Sequence, residues 1–181
     1  MTSTTLSTRR LAGSTEKGKR KVASLPAVTV QLNKAEKAEE MRETALKKIE
    51  SVVGASAVKL GRGHTYRAGG GPKICVRTSS VILLDGGVQK YWFGLRDECW
   101  NDPDAWFVLQ CELEFALVVR VEEWLGFKEK FSTNKTNVRQ PHLFKDGNTY
   151  TLKEEKKGFY EPAVRWVDNW DQFAAAHQQD Q

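Results

Sequence analysis

Lys73-Ile-Cys-Val-Arg-Thr-Ser-Ser80 sets the fold class. Ile74, Val76 and Thr78 alternate with Cys75 and Arg77, the period of two expected of a strand. On its C-terminal side, Val81–Leu84 and Val88–Leu95 flank Asp85-Gly-Gly87, a glycine-bearing turn suited to an antiparallel hairpin. Ala105–Glu112 and Phe115–Val121 form a second strand pair after the turn Asn101-Asp-Pro-Asp104. Beyond it, Glu122–Lys130 reads as a short helix anchored by Trp124, Leu125 and Phe127, and Ser132–Gln140 as a polar loop. Leu143-Phe144 and Tyr150–Leu152 then flank Lys145-Asp-Gly-Asn148 as a last hairpin.

Helices bracket these strands. Asn33 and Glu36 make a capping-box pattern for a helix over Lys34–Val53, with Gly54 placed to end it. Ala38, Met41, Ala45, Ile49 and Val52 recur at three- and four-residue steps and give that helix one apolar stripe. Its mixed charges, Glu39, Glu43, Lys47 and Glu50, belong to a solvated face. A second helix is expected after Pro162, with Ala163, Trp166, Val167, Trp170 and Phe173 on one face closing over the sheet. The fold class is α+β: an N-terminal helix, an antiparallel or mixed meander of four or five strands, a short helix, a hairpin and a C-terminal helix.

The chain carries 28 basic and 23 acidic side chains over 181 residues, unevenly placed. Residues 1–25 hold Arg9, Arg10, Lys17, Lys19, Arg20 and Lys21 against Glu16 alone, so the remainder is neutral. This stretch is expected to be a disordered basic tail ahead of one domain over residues 26–181. Its Ser/Thr-rich start with Arg also fits a transit peptide, and it lacks the apolar core of a secretory signal. Seven basic residues (Lys59, Arg62, Arg67, Lys73, Arg77, Lys90, Arg96) face one acid, Asp85, between positions 59 and 96. From Asp97 onward acids outnumber bases, sixteen to ten.

Cys75, Cys99 and Cys111 are odd in number and lack CxxC spacing, so neither a disulfide framework nor a zinc site is indicated. Reduced, buried thiols imply a cytoplasmic, nucleoid or nuclear protein rather than a secreted one. The longest apolar runs, such as Phe115–Val119, are too short to span a bilayer, which excludes a membrane partner of the spanning kind. His64, His142 and His177 are scattered, without carboxylates or thiols at metal-ligand spacing.

Two cationic blocks imply a polyanionic partner, nucleic acid and DNA first. Gly61-Arg-Gly-His-Thr-Tyr-Arg-Ala-Gly-Gly-Gly71 alternates glycines with Arg62, His64, Tyr66 and Arg67, side chains able to hold phosphate and stack on bases. It is neither a P-loop nor a dinucleotide fingerprint. Lys73, Arg77, Lys90, Trp92 and Arg96 extend it into a basic aromatic platform, on which Trp92 or Tyr66 stacks against an exposed base. The bland reading buries Trp92 under the terminal helix and pairs Arg77 with Glu112.

Pro103-Asp104, followed by Glu112 and Glu114, resembles the acidic cluster of PD-(D/E)XK nucleases. The order Lys73–Ser80, Lys90–Arg96, Ala105–Gln110 and then an apolar strand is similar to the core of small members of that family. The resemblance spans residues 35–125. It implies a restriction-endonuclease-like fold that binds DNA without cutting it, because Cys75 and Arg77 stand at the acid and lysine positions and Glu-Leu-Glu114 replaces Glu-x-Lys. The function expected is nucleic-acid binding, linked to restriction, defence or mobile elements, with no catalytic activity and no cofactor. Two alternatives remain open: an Mg²⁺-dependent nuclease using Asp104, Glu112 and Glu114, and a protein-interaction module using the acidic residues 97–181.

Overall fold

The computed structural model describes residues 33–179; Lys19, Arg20, Lys21 and the rest of the basic stretch 1–25 lie outside them. The fold is α+β. Helix α1 (Lys34–Val53) begins at Asn33, whose side chain accepts the N–H groups of Ala35 and Glu36 while Glu36 reaches back to the Asn33 N–H. It ends at Gly54, left-handed at φ 71°, a conformation open to glycine at little strain. Met41, Ala45 and Ile49 are its buried stripe.

Twelve strands follow in chain order, with two helices among and after them. They are β1 (Ala57–Lys59), β2 (Thr65–Ala68), β3 (Lys73–Ser79), β4 (Ile82–Leu83), β5 (Gln89–Trp92), β6 (Trp106–Cys111) and β7 (Phe115–Arg120). Next come α2 (Val121–Leu125), β8 (Ser132–Thr133), β9 (Arg139–Gln140), β10 (His142–Asp146), β11 (Thr149–Glu154), β12 (Phe159–Pro162) and α3 (Trp170–Gln179). One sheet has the order β1-β2-β3-β6-β7 and a second the order β12-β11-β10-β5-β4, with β8-β9 as a separate ribbon. The meander foreseen from local turns is therefore split. β5 leaves β3 for the second sheet, and β3 instead pairs in parallel with β6, Ile74 opposite Trp106 and Ser79 opposite Cys111.

Alternation along the first sheet explains the layers. Ile74, Val76, Trp106, Val108, Ala116 and Val118 face Ala45 and Ile49 of α1 and Phe173 of α3. Cys75, Phe107, Leu109, Leu117 and Val119 face the opposite way, toward Tyr91, Phe93, Leu143 and Leu152 of the second sheet and its flanking segments. The first sheet is thus sandwiched, which is why all six residues of β6 are buried. Trp124 anchors the inter-sheet core with ring centroids 5.5 Å from Trp166, 5.5 Å from Phe131 and 5.8 Å from Phe107. Full burial of aromatics of this size contributes about 1.5–3 kcal/mol each.

Four local readings are corrected. Pro162 closes the edge strand β12 rather than opening a helix, a position where its missing N–H is harmless. Trp166 enters the inter-sheet core and Phe173 the helix side, so the two do not share a face. Between them Asp168, at φ 48°, turns the chain; its N–H donates to the Ala116 carbonyl at 2.8 Å, and its carboxylate accepts the Ala116 N–H at 3.0 Å. Residues 132–140, read as loop, carry the β8-β9 ribbon. Leu125, expected to anchor α2, is exposed at 38 % while Trp124 does that work.

Candidate nucleic-acid interface

A groove of ≈ 660 Å³ opens at the edge where the two sheets diverge. β2 and β3 supply Thr65, Lys73, Cys75 and Arg77; the end of β5 supplies Trp92 and the segment after it Gly94; Arg96–Asp102, Gln140 of β9 and Asn134 and Val138 of the β8-β9 turn close it. Of the residues singled out from sequence, Arg62, His64, Lys73, Arg77, Trp92 and Arg96 meet here. They are up to 34 positions apart in the chain, and the β2-β3 pairing together with the approach of β5 collects them.

Arg77 organises the wall. Its Nε donates to the Gly94 carbonyl at 3.0 Å, Nη1 to the carbonyls of Val76 at 2.7 Å and His64 at 3.3 Å, and Nη2 to Cys99 Sγ at 3.3 Å. A planar guanidinium with several donors suits this better than any other side chain. Arg77 therefore ties β3, the β1-β2 loop and the segment after β5 into one surface and does not pair with Glu112. Its charge lies at the floor of the groove, with its hydrogen bonds already committed.

The rim is different. Arg62 and Arg96 are exposed and make no salt bridge among the described residues. Lys73 bridges Asp102 at 3.0 Å, and Glu98 adds a second acid, so four cations face two anions around the groove. Trp92 is 44 % exposed at the mouth, its backbone N–H donating to Ser79 Oγ at 3.0 Å; it is not buried under the terminal helix. His64 Nδ1 is buried without a hydrogen-bond partner among the described residues. Burial, then the positive charges of Arg42, Arg77 and Lys59, holds this imidazole below 6.5.

Three named residues stand elsewhere. Tyr66 is buried against α1 and offers no stacking face. Lys90 places its ammonium over the Phe144 ring, 5.4 Å from the centroid, outside the groove. Arg67 points into a neighbouring hollow of ≈ 400 Å³ that shares Lys73 and Asp102 with the groove. The glycine-rich stretch is also more structural than its composition implies: Gly71 packs on His177, where an added Cβ would lie 2.5 Å from the ring.

The acidic trio does not assemble. Asp104 lies before β6 and pairs with Arg120 at 2.6 Å, while Glu112 and Glu114 lie beyond its other end. Six residues of strand separate them by about 20 Å. Glu112 accepts the Val81 N–H at 2.7 Å and bridges Lys37 at 2.7 Å; Glu114 bridges Lys145 at 3.0 Å. Among the described residues no group of three or more His, Cys, Asp or Glu could hold a metal ion. The segments behind the nuclease resemblance are divided too, since β3 and β6 share one sheet and β5 lies in the other.

No family model, curated protein or solved structure matches this chain. Beside Arg77, the floor and far wall of the groove also include Cys99, Asn134 and Gln140, which carry no local sign of a site in the sequence. In the sequence Cys75 reads as a reduced, buried thiol and as a residue standing where the nuclease pattern has an acid. All three cysteines are unpaired and buried. The neighbouring Cys75 thiol, the Arg77 charge and the Arg96 backbone bring Cys99 below the ordinary thiol value against opposing burial. The same pairing and burial push Cys75 up. No helix among the described residues is long and apolar enough to cross a membrane.

Proposed function

We propose that this chain binds nucleic acid, taking an unpaired stretch or an extruded nucleotide into the groove between its two sheets. The observation that carries this reading is the meeting of Arg62, Lys73 and Arg96 with a half-exposed Trp92 around one concave site. Guanidinium and ammonium groups hold phosphates without regard to sequence, and an indole face stacks on any base. A duplex backbone is convex and broad, whereas a slot of ≈ 660 Å³ accepts one or two nucleotides of a flexible strand. DNA is the first substrate to try. On this reading the protein holds the strand and does not cut it, and the carboxylates Asp104, Glu112 and Glu114 serve as structural ion-pair partners.

The test is fluorescence-anisotropy binding of the full chain to single-stranded DNA, duplex DNA and RNA, repeated with Trp92→Ala. Preference for single strands that Trp92→Ala removes supports the groove. Equal affinity for duplex and single strand, unchanged by Trp92→Ala, overturns it.

A second reading, a protein-interaction module, draws on one observation. The edge strand β4 and the residue after it expose Ile82 at 44 %, Leu83 at 70 % and Leu84 at 40 %. An exposed apolar edge can accept a strand from another chain. That surface differs from the acidic region 97–181 named from sequence.

A further inference from the structure

We infer that Cys99 and Cys75 form a reactive dithiol at the floor of the groove, in which Cys99 attacks a hydroperoxide and Cys75 resolves the product as a reversible disulfide. This does not depend on which ligand the groove binds.

Four observations converge. The two sulfurs come from separate elements, β3 and the turn Asp97–Trp100, yet both line the groove beside Arg77, and each strongly shifts the other's ionisation. A fixed guanidinium, Arg77 Nη2, donates to Cys99 Sγ at 3.3 Å and so favours the thiolate at that sulfur. Cys75 is positioned from its other side by Thr65 Oγ1 at 3.7 Å. Both sulfurs belong to residues lining the groove, which gives a small reagent a route to groups otherwise 3 % and 5 % exposed. The third cysteine supplies the contrast. Cys111 is 0 % exposed in the inter-sheet core, lines no part of the groove, and burial holds its thiol well above the ordinary range.

The titration of the pair agrees with this geometry. Cys75, Arg77 and the Arg96 backbone favour a charged Cys99, while burial and the neighbouring Glu98 oppose it; the outcome is a thiol brought below its ordinary value. A thiol lowered in this way ionises at lower pH than an unperturbed cysteine.

The chemistry balances without a further reductant. The Cys99 thiolate attacks the distal oxygen of a hydroperoxide, the O–O bond breaks, and the departing alkoxide or hydroxide takes a proton from solvent. Cys99 is then a sulfenic acid. The Cys75 sulfur attacks the Cys99 sulfur, an S–S bond forms, and the hydroxyl leaves as water with the Cys75 proton. Two electrons pass from the dithiol to the peroxide, and an external thiol reverses the step.

The test uses the full chain with limiting hydrogen peroxide, followed by denaturation, alkylation with N-ethylmaleimide and peptide mass mapping. A Cys75–Cys99 cross-link that dithiothreitol reverses, with Cys111 alkylated throughout, is the expected result. In Cys75→Ala the reaction stops at a Cys99 sulfenic acid that dimedone traps. Should that variant fail to fold, iodoacetamide alkylation of the unaltered protein across pH gives a second readout. Cys99 is expected to react at lower pH than an ordinary thiol, and Cys111 to stay unreactive. Recovery of both groove cysteines alkylated after peroxide, oxidation of Cys111 ahead of them, or a Cys99 midpoint at the ordinary value of about 8.5 overturns the inference.

Discussion

Arg77 and Cys99, 22 positions apart, are joined by a 3.3 Å hydrogen bond from guanidinium to sulfur, the point at which β3 meets the segment following β5. Through this bond and its three carbonyl partners, Arg77 is both a fastener of the fold and the floor of the groove.

Replacing Arg77 therefore acts first on stability. Arg77→Ala removes the donor to the Gly94 carbonyl and to Cys99 Sγ, while the His64 carbonyl keeps the Val76 N–H, and is expected to lower the unfolding free energy by about 3 kcal/mol. Arg77→Lys keeps the charge but not the fork, and recovers less than half of that loss. Urea denaturation of the three proteins measures both. A shift within about 0.5 kcal/mol for Arg77→Ala contradicts the role assigned here.

Trp92 is expected to behave in the opposite way. It is half-exposed, so Trp92→Ala should leave the urea midpoint close to that of the unaltered protein. Affinity for a single strand should fall about 5- to 100-fold, the equivalent of one lost base stack. Circular dichroism melts and anisotropy titrations on the same preparations separate the two effects. Equal loss of stability and binding would place Trp92 in the packing rather than in the interface.

Glu112 distinguishes a structural carboxylate from a metal ligand. Glu112→Ala strips the Val81 N–H and Lys37 of a partner and should destabilise by about 1–2 kcal/mol. Glu112→Gln keeps an acceptor for Val81 and should lie within about 1 kcal/mol of the parent. Asp104→Ala, which removes an exposed surface pair, should be nearly silent. Mg²⁺-dependent nicking of DNA that Glu112→Gln abolishes would contradict this assignment.

Stability should also fall on mild acidification. His64 and His142 are both held below 6.5 in the fold, by burial first and then by neighbouring cations. Unfolding returns them to the ordinary value, so below it the unfolded chain binds more protons than the folded one. The stability present above about pH 6.5 is lost as pH drops through the lowered folded values. Denaturation series between about pH 7.5 and about pH 5 measure the slope, and His64→Gln should flatten it. A slope that His64→Gln leaves unchanged contradicts the contribution assigned to this side chain.

What could be read from sequence was what is written locally. The capping box of Asn33 and Glu36 acts within four residues, so the bounds of α1 followed directly. The turns at Asp85–Gly87 and Gly147-Asn148 likewise announced their hairpins. The parallel pairing of β3 with β6 and the departure of β5 to a second sheet were not legible, because no local turn records a partner about 30 residues away. The spacing of Trp166 and Phe173 fits one helical face, but Asp168 breaks the chain between them by binding the β7 backbone. The groove followed the same division. Arg62, Lys73, Arg77, Trp92 and Arg96 stood out by charge and aromatic character, whereas Cys99 and Gln140 reach it only through tertiary closure.

On the proposed reading a strand's phosphates lie along Arg62, Lys73 and Arg96. The most direct measurement is the salt dependence of single-strand affinity for the full chain and for an Arg62→Ala/Arg96→Ala variant. With three phosphates neutralised by the groove, log affinity should fall with log salt at a slope of about −2 from this site alone, a loss of roughly tenfold or more per fourfold salt increase. The variant should bind more weakly and show a slope shallower by about 1–2. Affinity and slope that are the same in both proteins would contradict a phosphate track along this groove.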